Sequence, residues 1–122
     1  MSTDKVCEKL VSAYRVFGKL KLTDLERKVY DKHFNDAFTS FVKFDRYVNE
    51  HKLNNTSGPL SREVLETRIG RIIYKSIDES VSHLQQIYNF YKEKKIEDEN
   101  FSFVILNALQ IHKIAVENAQ TE

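Results

Sequence analysis

Large apolar side chains recur every three or four positions between residues 23 and 52. Alternating steps of three and four are typical of helices that pack nearly parallel or antiparallel to a neighbour. The sequence TDLE at the start can form a capping box, in which the side chains of Thr23 and Glu26 each accept a hydrogen bond from the other's backbone N–H. We therefore predict a long helix over residues 23–52. Its core row consists of Tyr30, Phe34, Ala37, Phe41, Phe44 and Val48.

A second apolar row predicts another long helix over residues 60–95. Between the two rows lies HKLNNTSGPLS, which contains the only proline and separates the helices. Ser61 can cap the second helix, with Leu60 and Leu65 at the two positions of a hydrophobic staple. Gly70 either weakens the first turns of this helix or permits another segment to approach closely. The core row consists of Ile69, Ile73, Ile77, Ser80, Leu84, Ile87 and Tyr91.

Two shorter apolar patterns predict helices over residues 3–18 and 99–119. Ser2 or Thr3 can cap the first of them, and Gly18 can end it. The last helix is apolar over more than half of its circumference, so it must be covered on several sides. Either the rest of the chain buries this wide face or part of it is left for a partner. The residues that widen the face are Leu106, Leu109, Ile114 and Val116.

Four amphipathic segments with short connections predict an all-α fold, an antiparallel four-helix bundle with two long central helices. Three glycines and one proline among 122 residues favour long helices over a β-sandwich or barrel. This length fits a single helical domain over residues 1–122. The one cysteine, Cys7, excludes an internal disulfide framework and a cysteine-based zinc site.

The two long helices are expected to extend beyond the short ones. They would span about 45 and 50 Å, whereas the short helices reach only about 22 and 30 Å. Both short helices join the same end of the long pair, so the opposite end, the hairpin tip, is least covered. We predict that apolar and basic side chains of this tip bind a partner protein or a second copy. The alternative is that the apolar ones only seal the two long helices together. The residues concerned are Phe44, Tyr47, Val48, Leu65, Ile69, Ile72, Arg46 and Arg68.

Charge and hydropathy narrow the choice of partner. The net charge of +1 is small for a nucleic-acid-binding domain. Nucleic acid nevertheless stays an alternative partner, because Arg62, Arg68, Arg71 and Lys75 follow one side of the predicted third helix. The chain lacks a run of about 18 apolar residues, so no membrane insertion is predicted. A charged N-terminal sequence, unlike a signal peptide, predicts a cytoplasmic or nuclear location.

Four histidines are the main candidates for metal or proton chemistry. None lies three or four positions from another, so no single helix presents a pair of imidazoles. His33 and Asp36 are spaced to share a helix face, as are Glu79 and His83. The Glu-x-x-His motif of di-iron bundles does not occur. We therefore favour structural or solvated histidines and predict neither a metal site nor a cofactor.

The sequence RYVNEH, residues 46–51, resembles the Arg-x4-His motif of HEPN ribonucleases, which are also small helical bundles that dimerise. The resemblance implies that Arg46 and His51 would handle the scissile phosphate and its proton. Tyr47 stands where that family usually has a polar residue.

The favoured function is a non-enzymatic protein–protein interaction module, a small subunit or adaptor of a larger assembly. It would dock through apolar and aromatic side chains of the long hairpin and of the last helix. A nucleic-acid-binding bundle and a HEPN-like ribonuclease are the alternatives.

Overall fold

The computed structural model describes residues 4–51 and 60–119, which form five helices. The helices are α1 (Asp4–Phe17), α2 (Asp24–Glu50), α3 (Arg62–Leu65), α4 (Arg68–Lys94) and α5 (Glu99–Ala119). No strand occurs among the described residues, and the predicted all-α class is confirmed. The predicted caps Ser2 and Thr3 lie outside the described ranges.

The four longer helices form the predicted bundle. α2 packs on α4, α4 on α5, α5 on α1 and α1 on α2, so the contacts close into a ring. α2 and α4 run in opposite directions, because Glu26 at the start of α2 pairs with Lys94 at the end of α4 at 2.9 Å. One turn further along α2, Tyr30 stacks on Phe90, with ring centroids 4.0 Å apart. These two contacts fix the register of the central pair.

Aromatic rings fill the end of the bundle where α1 leads into α2 and α4 into α5. The centroids of Phe17 and Phe34 lie 5.0 Å apart, and those of Tyr91 and Phe101 lie 5.1 Å apart. Each such pair contributes about 0.5–1.5 kcal/mol beyond the area that it buries. The core continues along the bundle as an apolar cluster. It includes Val6, Leu10, Ala13, Ala37, Phe41, Phe44, Val48, Ile73, Ile77, Leu84, Ile87, Val104, Ile105, Ala108 and Ile111.

Local capping accounts for the starts of several helices, and the capping box at the start of α2 is one that the sequence predicts. The Thr23 hydroxyl accepts a hydrogen bond from the Glu26 N–H at 3.1 Å, and the Glu26 carboxylate accepts one from the Thr23 N–H at 3.0 Å. Before α5, the Asp98 carboxylate accepts a bond from the Asn100 N–H at 2.9 Å. These bonds satisfy N–H groups that the first turn of a helix leaves without an intrahelical partner.

The third predicted helix begins later than expected, since residues 60–95 form α3 and α4 instead of one helix. Ser61 caps α3, as predicted, by accepting a bond from the Val64 N–H at 3.4 Å. Thr67 then caps α4. Its hydroxyl accepts a bond from the Gly70 N–H at 3.0 Å and donates one to the Val64 carbonyl at 2.6 Å. Two N-caps six residues apart therefore produce a separate turn where one helix was predicted.

Gly70 makes this arrangement possible. A Cβ atom at residue 70 would lie 1.8 Å from the Val64 carbonyl oxygen and 2.6 Å from the Leu65 Cα. These neighbours are backbone atoms, which cannot rotate away as a side chain would. Gly70 thus serves the second of its two predicted roles, a close approach between segments, and the α3 turn packs directly on the first turn of α4.

We expect the substitution Gly70→Ala to destabilise the fold by about 1–3 kcal/mol, because the new methyl group must push α3 away. In an open helix the same change would stabilise the protein by up to about 1 kcal/mol. Gly18→Ala is the matched control, since a Cβ there meets its nearest neighbour at an ordinary 3.4 Å. Urea denaturation of both variants measures the difference. Equal stability of the two variants would contradict the close packing at Gly70.

Two apolar residues of α2 allow the energetic effect of a buried side chain to be compared with that of an exposed one. Phe44 is 5% exposed, whereas Val42, two positions earlier, is 45% exposed. We expect Phe44→Ala to cost about 3–5 kcal/mol, because it leaves a cavity in the core. Val42→Ala should cost less than about 1 kcal/mol. Denaturation midpoints measure the loss of stability in both variants. A small loss for Phe44→Ala would show that this end of α2 is loosely packed.

Candidate docking face

The apolar side chains predicted to dock at the hairpin tip lie mostly inside the bundle. Phe44, Val48 and Leu65 are buried, while Tyr47 and Ile69 are half-buried against the same core. A side chain that is already removed from water has little apolar area left for a partner to cover. This placement favours the alternative, that these residues seal α2 against α4. Docking at the tip stays a prediction.

The tip is also better covered than the lengths predicted from sequence suggest. α2 and α4 have 27 residues each and are therefore about 40 Å long. α5 extends to the tip, where the Asn118 side-chain amide donates a hydrogen bond to the Leu60 carbonyl at 2.7 Å. Of the remaining predicted tip residues, Ile72 is half-buried, and Arg46 and Arg68 are exposed.

The most exposed large apolar side chain of α5 is Leu106, with 66% of its surface accessible. Leu109, one turn further along α5, and Tyr88 on α4 are exposed by 39% and 37%. Together they border a groove of about 260 Å³ between the two helices. We call this surface the α4–α5 face. Its full lining is Gln85, Tyr88, Ser102, Ile105, Leu106 and Leu109.

The rim of the α4–α5 face is polar and mostly uncharged. The Gln85 amide donates a hydrogen bond to the Asn89 side-chain oxygen at 3.1 Å. The Lys92 ammonium lies 5.5 Å from the centroid of the Tyr88 ring, within the range of a cation–π contact. An apolar centre with a polar rim is the usual arrangement of a protein-binding surface.

A smaller groove of about 170 Å³ lies between α1 and α2. Val11, Tyr14 and Phe38 border it, and each is a little over one third exposed. The Tyr14 hydroxyl donates a hydrogen bond to the Asp31 carboxylate, which raises the pKa of the tyrosine. This bond fixes the tyrosine ring at one side of the groove. Because its apolar side chains are less exposed than Leu106, the groove is a weaker candidate than the α4–α5 face.

Arg46 and His51, the residues of the Arg-x4-His motif, both lie against Tyr47. The Arg46 guanidinium is 5.5 Å from the centroid of the Tyr47 ring. The His51 ring stacks on that tyrosine with centroids 6.0 Å apart and an angle of 11° between the planes. His51 is the C-cap of α2. Tyr47, which directly follows Arg46 in the sequence, stands at the position that is usually polar in the ribonuclease family.

The basic residues of the third predicted helix are divided between α3 and α4, and some are paired with acids. Arg62 lies 3.4 Å from Glu66, and Lys75 lies 4.0 Å from Glu79. Both pairs join residues four positions apart on exposed surface and contribute only about 0.3–0.5 kcal/mol each. They nevertheless reduce the positive charge available to phosphates, which makes nucleic-acid binding a weaker alternative.

Two of the histidines meet across the central helix pair, which the sequence did not reveal. The Nδ1 atoms of His33 on α2 and His83 on α4 lie 3.0 Å apart. Burial lowers the pKa of His33, and the neighbouring His83 lowers it further. His112 on α5 instead lies 2.9 Å from the Asp78 carboxylate. Among the described residues, no group of three or more His, Cys, Asp or Glu side chains could hold a metal ion.

Comparison of the chain with protein-family models, with curated proteins and with solved structures gave no match. None of the helices within the described ranges is both long enough and apolar enough to cross a membrane. Support for a docking face therefore comes only from the geometry of this chain.

Cys7, near the start of α1, and Asp45, near the end of α2, are two titratable groups that lie close together. Burial, together with the carboxylates of Asp45 and Asp4, raises the pKa of the Cys7 thiol to about 11. The thiol is thus protonated at neutral pH, as expected for a packing cysteine rather than a nucleophile. Burial and the nearby Asp4 carboxylate raise the pKa of Asp45 to about 6 from 3.8. The folded protein therefore holds the Asp45 proton more tightly than the unfolded chain does.

The raised pKa of Asp45 predicts a pH-dependent stability. The stabilisation from protonated Asp45 is complete below about pH 4 and is lost as the pH rises through about 6. Asp45→Asn removes this charge, so we expect it to stabilise the fold at pH 7.5 by about 1 kcal/mol. The difference from the natural chain should fall towards zero near pH 4. Urea denaturation at several pH values measures it, and a difference independent of pH would contradict the prediction.

Proposed function

We propose that this chain is a non-enzymatic protein-binding module, a small subunit or adaptor of a larger assembly in the cytoplasm or nucleus. The proposed partner is an amphipathic helix of another protein, bound along the α4–α5 face. This proposal retains the last helix as a docking element and shifts the main surface away from the hairpin tip. It shifts because the apolar residues of the tip are mostly packed into the chain's own core.

The exposure of Leu106 is the observation that carries the proposal. A leucine that is two-thirds accessible contributes little to its own fold, yet Leu106 borders an apolar groove between two helices. Covering a leucine fully provides about 1.5–3 kcal/mol. Leu109 and Tyr88 flank it, so the face has a compact apolar centre of the kind that dominates binding energy at interfaces.

A helix is the partner that fits the shape of this surface. A groove between two packed helices runs roughly along their axes, and apolar side chains spaced three and four positions apart on a third helix can fill it. The rim adds hydrogen-bonding groups at Gln85 and Ser102 and one cation at Lys92. An acidic residue beside the apolar row of the partner helix would complement this lysine.

Photo-crosslinking tests this proposal at single residues. A photoreactive phenylalanine analogue replaces Leu106 in one variant and Leu25 in another, and both are expressed in native cells. Leu25 is the matched control, because it is 72% exposed but does not line the α4–α5 groove. We expect a discrete adduct from position 106 and none from position 25. Adding Leu109→Asp should remove the adduct, since it places a charge in the apolar centre.

The mass of the adduct identifies the partner. A protein other than this chain supports the proposal, whereas an adduct of two 14.4 kDa chains would show that a second copy occupies the face. Equal labelling from both positions, or no adduct from position 106, would contradict docking at the α4–α5 face. Far-UV circular dichroism of each variant confirms that the helices are intact.

A further inference from the structure

The imidazoles of His33 and His83 form a contact that the proposed docking function does not use. Their Nδ1 atoms are 3.0 Å apart, their ring centroids are 5.2 Å apart and their planes meet at 45°. One ring therefore donates from Nδ1 and the other accepts at Nδ1, so the two rings carry different tautomers. His83 Nε2 lies 4.0 Å from the Asp36 carboxylate, which favours a proton on that nitrogen. His33 is then the donor.

Two imidazole nitrogens at this separation approach the geometry of a metal chelate. A tetrahedral Zn²⁺ with Zn–N bonds of about 2.05 Å would place its two nitrogens about 3.3 Å apart and the ring centroids about 5.2 Å apart. The centroids of His33 and His83 already have this separation. Small rotations of the rings would move the nitrogens by about 0.3 Å and turn both lone pairs towards a common point.

The surroundings of the pair also fit a bound cation. Histidine ligands commonly donate their second N–H to a carboxylate, and the nearest carboxylate oxygen to Nε2 of His83, that of Asp36, lies 4.0 Å away, so a small side-chain rotation would bring it into hydrogen-bond distance. The side chains of His83 and Asp36 are 28% and 41% exposed, so an ion and its water ligands can reach the pair from solvent. The Tyr30 ring, with its centroid 5.9 Å from that of His33, supports the first imidazole from the side.

We propose that His33 and His83 bind a divalent transition-metal ion of the Zn²⁺ type through their Nδ1 atoms, joining α2 to α4. Imidazole suits Zn²⁺, Cu²⁺ and Ni²⁺, and water completes the coordination. Binding moves the His33 proton from Nδ1 to Nε2, so both rings remain neutral and no proton is released. Because the two ligands lie on different helices, the ion holds the folded state together and stabilises it.

Calorimetric titration of the whole chain with Zn²⁺ tests the site. We expect one ion to bind per chain. His33→Gln and His83→Gln should each weaken the affinity by about tenfold or more. His112→Gln is the matched control, because His112 also lies against a carboxylate but on α5, and it should leave the affinity unchanged. Excess Zn²⁺ should raise the midpoint temperature of thermal unfolding of the natural chain by about 5 °C. In the His33→Gln and His83→Gln variants, Zn²⁺ should leave this temperature unchanged.

Nuclear magnetic resonance of the natural chain keeps the test independent of whether the variants fold. Long-range ¹H–¹⁵N spectra should show Zn²⁺ shifting the Nδ1 signals of His33 and His83, with the His112 signals unchanged. Shifts at His112 or His51 instead would mark adventitious surface binding and overturn the proposal. Binding that survives both His33→Gln and His83→Gln, or no binding by the natural chain, would overturn it as well.

Discussion

Packing of α2 on α4 is the interaction on which the rest of the structure depends. Phe34, Phe41 and Phe44 of α2 and Ile73, Ile77 and Leu84 of α4 are all buried in one core. At about 1.5–3 kcal/mol for each fully buried large apolar side chain, this row is a main source of stability. A pair of helices leaves half of that row open to water, which explains why α1 and α5 must pack across it.

The sequence predicted the parts of this fold that depend on local contacts. The capping box of Thr23 and Glu26 and the apolar rows of the long helices involve residues within one or a few turns, and they were confirmed. The break before α4 was not predicted, because it depends on a contact between two segments. Ser61 and Thr67 are both good N-caps, and local rules alone do not decide between one cap and two. The decision comes from the backbone contact at Gly70.

The α4–α5 face could not be predicted from the spacing of apolar residues along the chain. A wide apolar arc on α5 was evident, but not which part of it would face the core, since that depends on how α5 is rotated against α1 and α4. The structure turns Phe101, Val104 and Ala108 inward and leaves Leu106 outside. The histidine pair was hidden for a similar reason. His33 and His83 are 50 residues apart, and only the register of α2 against α4 brings them together.

α4 connects the two proposals, because it carries one part of each surface. His83 points towards α2, whereas Gln85 and Tyr88 line the groove with α5. Successive residues of a helix are rotated by about 100°, so these positions lie on different sides of one rigid element, with the core row between them. An ion held by His33 and His83 would restrict rotation of α4 against α2 and thereby fix the wall of the groove that carries Tyr88. Such preorganisation lowers the entropic cost of binding. The metal site and the docking face would then be coupled through the orientation of a single helix.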